Sequence, residues 1–228
     1  MIRIPGKDGN RNFVVEILMI VIGINIALWF EGWFQDQQDA EIAEQYLADL
    51  RTDLQSDIKQ LDNVIASAEQ KSAAIAEIAG KLDTLADMSA EEQAQAIFAP
   101  SSYLFFTPSD YTYQSMQESG DFRLLKDPEI KKRILRLNRR HNDIGELQRN
   151  FLQALDDGYI PLMMSGYDIA TFQVSDPELF SNQVFRNFFM YTMQDTQAMI
   201  THYERAKTET SNLIELIDGE IGPAEPAE

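Results

Sequence analysis

Residues 17–30 read Ile-Leu-Met-Ile-Val-Ile-Gly-Ile-Asn-Ile-Ala-Leu-Trp-Phe without a single charge. With Phe13, Val14 and Val15 before Glu16, and Trp33 and Phe34 after Gly32, the stretch reaches about twenty residues. A helix rising ~1.5 Å per residue then covers a hydrocarbon core of roughly 30 Å. The segment 13–34 is therefore predicted to be one transmembrane helix. Trp29 and Trp33, flanked by Phe30 and Phe34, gather at one end of it, where amphipathic rings settle among lipid headgroups. A cleaved signal peptide shares the basic start and apolar core, but the bulky run 29–34 offers no small-x-small cleavage site, so the segment is expected to remain as an anchor. Mean hydropathy over the chain is −0.29, too low for several spans, so membrane character is local.

The flanks set the expected orientation, because basic residues beside a span are retained in the cytoplasm. Arg3, Lys7 and Arg11 precede the span; beyond it Glu31, Asp36, Asp39, Glu41 and Glu44 come before the next basic residue, Arg51. The expectation is a bacterial inner-membrane protein with residues 1–12 in the cytoplasm and the rest in the periplasm. A chain with no cysteine has neither disulfides nor thiolate chemistry. A net charge of −18 excludes the basic face that nucleic acids require.

Beyond the span the pattern is helical throughout. From 39 to 86 there is no proline, and Leu47, Leu50, Leu54, Ile58, Leu61, Ile65, Ala68, Ile75, Ala79 and Leu82 recur in steps of three and four, the stripe of one long helix. Only Gly32 stands between it and the span, so the two are expected to form one rod. Ser89 with Glu92 is a capping-box signal for a short helix ending near Phe98. Thr107-Pro108-Ser109-Asp110 is expected to open a helix that Gly120 stops, and Asp127-Pro128 a longer one reaching about Asp157. A loop with one short helix is expected over 158–175, then a last helix from Asp176-Pro177 to about Ile217. No strand pattern stands out, and the tail 222–228 has nothing to bury. The predicted fold is all-α: a transmembrane helix continuing into an extracytoplasmic helical bundle over 35–221.

Two patches carry a resemblance. Glu16-Ile17 followed by Val21-x-Ile-Gly23-Ile-x-Ile-Ala27-Leu28 and Trp33, and the later Tyr113-Gln-Ser-Met-Gln-Glu-Ser-Gly120-Asp-Phe-Arg-Leu-Leu125, resemble a family of uncharacterised bacterial single-pass membrane proteins. Trp29-Phe30-Glu31 departs from the more polar residues those proteins carry before the final tryptophan. The resemblance implies a membrane anchor with an extracytoplasmic helical domain and no known activity.

Candidate sites follow from residue type and spacing. At 100° per residue Glu16, Ile20, Gly23 and Ala27 share one face of the span, and Asn25 shares the opposite face with Leu18, Ile22 and Trp29. Gly23-x-x-x-Ala27 lets two backbones approach and a buried Asn bonds across helices, so both faces point to association in the membrane; the plainer reading leaves Glu16 at the cytoplasmic boundary and Gly23 incidental. Asp49, Asp53 and Asp57 form an acidic ladder, read as a solvated face or an open, weak divalent-cation site. Lys132, Arg136 and Arg139 line one side of a basic helix. They are expected to pair with that ladder across an antiparallel contact, or else to hold an anionic ligand or an acidic partner. His141 falls on the apolar stripe of the same helix, where a buried imidazole is the default. The aromatic and methionine residues over 103–113 and 159–193 are read as core, or as the lining of an apolar pocket.

Two histidines, no cysteine and no hydrolase, P-loop or zinc-protease spacing support no catalytic residue, cofactor or metal site, and the reading leans away from an enzyme. The function expected is a membrane-anchored structural or interaction protein, a homo-oligomer or a subunit of an envelope complex with a membrane-protein partner. The alternative is an extracytoplasmic module that senses a ligand and acts through a partner.

Overall fold

The computed structural model describes residues 8–222, with side chains from Val15 onward. Residues 1–7 and 223–228, and with them part of the basic N-terminus and most of the tail, lie outside the described residues.

One helix, α1 (Asp8–Ala79), carries the chain through the apolar segment and into the bundle without a break. Gly32 does not interrupt it, because no proline stands nearby and a lone glycine costs only about 1 kcal/mol in a helix. At 1.5 Å per residue α1 is about 108 Å long. Residues 15–38 are exposed on every side, and the segment is long and apolar enough to cross a membrane. The first buried residue is Ala43, nine positions past Phe34, so the bundle begins about 14 Å beyond the last aromatic of the span.

Three further segments complete the bundle. The chain descends through α2 (Ala90–Phe98) and α3 (Tyr111–Ser119), rises again in α4 (Pro128–Ala154), and returns in α6 (Gln183–Ile221); α5 (Ile160–Gly166) lies at the far end. The core is layered along α1. Near the span, Leu47, Leu50 and Leu54 meet Met116, Ile130, Ile134, Leu213 and Ile217; midway, Leu61 and Val64 meet Phe106, Ile144, Tyr203 and Ala206. At the far end Ile75 and Ile78 join Phe151, Tyr159, Phe185 and Phe189. These pairings make α1 and α4 parallel and α6 antiparallel to both.

Several boundaries differ from the sequence expectation. The stripe over 39–86 does not stay α-helical: α1 stops before Gly80, and a 3₁₀ turn (Leu82–Asp87) follows, because its three-residue period puts both Leu82 and Leu85 inside. The capping box at Ser89 forms as expected, with Glu92 N–H donating to Ser89 Oγ at 3.3 Å and Ser89 N–H to Glu92 Oε2 at 3.1 Å. Pro108 lies outside α3, whose N-cap is Asp110. Over 158–175 the expected loop with one short helix is found, but that helix is not separate: α4 runs through a π turn (Leu155–Tyr159) into α5, and non-helical chain follows. At the π turn Ile160 N–H bonds back to Leu155 O, just before Pro161 removes a donor. Asp176-Pro177 opens only a turn; the cap that starts α6 is Asn182, whose side chain accepts from Val184 N–H at 2.8 Å. A two-residue antiparallel ladder, β1 (Tyr167–Asp168) with β2 (Gln173–Val174), replaces the strand-free expectation.

Gly166, buried at the end of α5, allows the 3₁₀ turn at Leu179 to pack against it. A Cβ there would lie 2.7 Å from Leu179 Cδ1, and Leu179 is itself 1 % exposed, with nowhere to turn. Gly166→Ala is expected to destabilise the bundle by about 1–3 kcal/mol, measured by urea unfolding of the detergent-solubilised protein, while Gly219→Ala on exposed α6 surface changes it little.

Candidate functional site

On the span, the side chains of Glu16, Gly23, Ala27, Trp29 and Trp33 are all exposed, and nothing lies within 4 Å of a Cβ placed on Gly23. Asn25 Nδ2 donates to Val21 O at 2.7 Å, one turn back on its own helix. One of its amide hydrogens is thus used locally, and the side chain remains exposed. Phe30 and Trp33 pack obliquely with centroids 5.8 Å apart, and Trp29 is exposed.

The acidic ladder does something the sequence reading missed. Asp57 is 1 % exposed, not solvated, and its Oδ1 accepts the backbone N–H of Ser109 at 2.7 Å; Asp53 Oδ2 accepts the N–H of Thr112 at 3.2 Å. Helix α3 therefore takes the carboxylates at its N-terminus from α1, a tertiary cap, because its local cap residue Asp110 turns away to accept from Gln114 at 2.6 Å. Asp49 stays exposed. Lys132, Arg136 and Arg139 do not meet the ladder: α1 and α4 run parallel with α3 lying across the ladder, Lys132 pairs with Glu129 at 3.4 Å, and Arg136 and Arg139 form no ion pair among the described residues. The acids of α1 reach α6 instead, through Asp62–Lys207, and Arg51 of α1 pairs with Asp218 at 3.1 Å. On α4 the close pair is Arg140, bidentate to Glu209 of α6 with both contacts at 2.7 Å.

Beside the tertiary cap, Asp57 and His141 line one small cavity with Ser109 and Asp110. Asp57 Oδ2 and His141 Nε2 are buried and have no hydrogen-bond partner among the described residues. Burial pushes Asp57 up to about 6, with the charges of Asp53 and Asp110 adding to it and the Ser109 hydrogen bonds opposing. Burial pushes His141 down to about 4 against the attraction of Asp110 and Glu209, and Arg140 lowers it further. Phe106 packs edge-on against the imidazole at 5.2 Å.

A larger cavity, of about 130 Å³, opens between the middle and far layers of the core. Its floor is aromatic: Tyr103 and Phe105 stack at 4.6 Å, each with its centroid 6.3 Å from Phe151. Lys71 of α1 reaches over the Phe151 ring with Nζ 4.4 Å from the centroid, a cation–π contact. Asp195 of α6 also lines the cavity. Burial lowers the Lys71 ammonium to about 8 against the attraction of Asp195, and burial raises the Asp195 carboxyl. No carboxylate among the described residues comes within ion-pair distance of Lys71. The sequence reading had taken the aromatic stretch from Tyr103 as core, with a pocket lining as the alternative. It missed Lys71 and Asp195, although both occupy inward positions of otherwise apolar stripes, the one signal that marks them.

The two shifted groups of the smaller cavity act in opposite directions on stability. Asp57 holds its proton more tightly folded than unfolded, so between about pH 4 and 6 it takes stability away as pH rises. His141 holds its proton less tightly folded, so between about pH 4 and 6.5 it takes stability away as pH falls. The wild type is therefore expected to show a shallow profile over this range. Asp57→Asn, which keeps an acceptor for Ser109, should steepen the loss toward pH 4, and His141→Gln should reverse it. Each moves the difference between pH 4 and 6.5 by about 3 kcal/mol in urea unfolding; three parallel profiles would contradict the assignment.

No curated protein and no solved structure matches the chain. A family described as a family of unknown function, DUF6090, matches residues 16–147, from Glu16 in the span through the tertiary cap and the basic side of α4, and stops short of α5 and α6. With more than half its length inside that match, the chain belongs to the DUF6090 family of unknown function.

Proposed function

We propose that this is a membrane-anchored interaction protein of the bacterial envelope, inserted in the inner membrane with its N-terminus in the cytoplasm and its bundle in the periplasm, and assembled with itself or with a larger membrane complex through its span. The observation that carries this is the continuity of α1. The helix that supplies the apolar, all-round exposed segment is the same helix that forms the spine of the bundle, so a neighbour gripping the span also fixes the position of the folded domain.

The span has the chemistry for such a grip. Gly23 and Ala27 lie one turn apart, where nothing larger than a methyl holds a second backbone away, and in lipid helix association depends on close packing and interhelical hydrogen bonds rather than on the hydrophobic effect. Asn25, exposed on the opposite face, adds a polar amide for a second neighbour. The flanking charges favour the orientation: Glu31, Asp36, Asp39, Glu41 and Glu44 follow the span before any basic residue.

The absence of cysteine makes the test direct. Single cysteines at Ile20, on the Gly23 face, and at Val21, turned well away from it, are introduced one at a time, and membranes are oxidised. Disulfide-linked dimers are expected from Ile20→Cys and at least fivefold fewer from Val21→Cys, with Gly23→Leu abolishing the first. No dimer from Ile20→Cys, together with a monomeric, partner-free mass in mild detergent, would rule the reading out. A C-terminal tag is expected to be digested in spheroplasts, and its protection from protease would reverse the orientation.

A further inference from the structure

A bundle of long helices gains stability by filling inward positions with apolar side chains, and α1 and α6 do so over most of their buried length, with Asp57 and Thr210 as single exceptions. Between the middle and far layers the exceptions cluster. Along α1 the apolar positions Leu61, Val64 and Ile75 are interrupted by Ser67, Ala68 and Lys71; along α6, between Phe189 and Met199, stand Thr192, Asp195 and Thr196. Ser67, Ala68 and Lys71 of α1 and Asp195 and Thr196 of α6 line one cavity of about 130 Å³. A half-buried ammonium and a half-buried carboxyl that do not close on each other are costly to a fold, and such breaks in an apolar pattern are characteristic of binding sites.

The lining specifies what fits. Tyr103, Phe105, Phe151 and Met199 make an apolar floor, and Lys71 offers a cation above it. Asp195 offers an anion on the facing helix, and Ser67 and Thr196 add hydroxyl-bearing side chains to the same lining. An anion alone would meet Asp195 unfavourably, and a cation alone would meet Lys71. A ligand carrying both charges on adjacent atoms, with a compact apolar body, satisfies every part of the lining. An apolar cavity of about 150 Å³ accepts a benzene-sized group, which bounds that body to about six carbons.

We propose that this cavity binds a free apolar α-amino acid, its carboxylate on Lys71, its ammonium on Asp195 and its side chain against Tyr103, Phe105 and Phe151. The site is open to solvent at Tyr103 and Leu104, each about half exposed, on the segment that connects α2 to α3. That segment has no helix of its own, so it can yield to admit a ligand without disturbing the long helices. Binding would join α1 to α6 through the ligand's two charges, where the protein itself leaves them unjoined.

The test is calorimetric titration of the full-length protein in mild detergent with L-leucine, L-methionine and L-phenylalanine. At least one is expected to bind saturably at one per chain. For that amino acid, the analogue lacking the ammonium and the analogue lacking the carboxylate (4-methylpentanoate and 3-methylbutylamine for leucine) should bind at least tenfold more weakly. Lys71→Met and Asp195→Asn should each weaken binding tenfold or more while leaving the thermal midpoint unchanged or higher, because each replaces a buried charge. A failure of all three amino acids to bind saturably overturns the proposal. So does equal binding of a singly charged analogue, or undiminished binding by both folded variants. The measurement concerns one chain and does not depend on the span's pairing, so it can fail while the disulfide experiment succeeds, and the reverse.

Discussion

Past its first turn, every backbone amide of a helix without proline bonds within the helix, which is the one arrangement that lets a single segment cross lipid, and α1 keeps that arrangement over 72 residues. What changes along it is the pattern of side chains. Through 15–34 they are apolar nearly all round and no described residue covers them; from Ala43 onward one stripe turns inward and most of the remainder is polar. The bundle is built on this second half. α6 packs along it antiparallel, α4 parallel, and the descending segment through α2 and α3 closes the side. Because the spine does not bend at Gly32, the folded domain has a set height above the aromatic residues Trp29 and Trp33, with no swivel between anchor and bundle.

The same spine holds α3 in place. A nine-residue helix has four unsatisfied N–H groups at its start and little stability of its own. Asp53 and Asp57 accept from Thr112 and Ser109 across the gap between helices, at the favourable end of the α3 dipole. One of these carboxylates is buried beside an imidazole, so part of the gain is offset by desolvation. Asp57 and His141 thus sit at the same spot with opposite sensitivity to acid, and α3 is bound to α1 by groups whose charge states the surroundings set.

Much of this was legible in the sequence because it depends on local pattern. The apolar run 13–34, the three- and four-residue stripe from Leu47, the Ser89–Glu92 box and the Gly120 stop, where φ is +79°, each reflect rules that act within a few residues. The misreadings share one cause, which is that a partner distant in the chain decides the outcome. Pro108 looked like a helix start, but the carboxylates capping that region belong to α1. The ladder Asp49, Asp53 and Asp57 looked like a surface, but α3 lies across two of its three rungs. Lys132, Arg136 and Arg139 looked like partners for it, but residues of α4 meet α1 through Ile130, Ile134 and Leu137 and turn the cations outward. Lys71 and Asp195 could have been suspected as charged residues on inward stripes, yet only the packing of α1 on α6 brings them to one cavity.

The rigid connection between span and bundle limits the ways in which the proposed assembly can be built. Two anchored copies that pair on the Gly23 and Ala27 face stand at equal height, so their bundles can touch only through residues level with one another. Leu47 and Leu50 of α1 share the core layer nearest the span with Ile134 and Leu137 of α4. Asp49 of α1 and Arg136 and Arg139 of α4 are exposed around this layer. Within one chain none of these three charges forms an ion pair among the described residues; copies side by side on parallel spans would present them to one another. Exposed ion pairs contribute only about 0–1 kcal/mol each, too little to drive assembly but enough to favour one orientation of neighbours already held by the membrane. The affinity in such an assembly would reside in the span, and the charges of the bundle would select how the copies face.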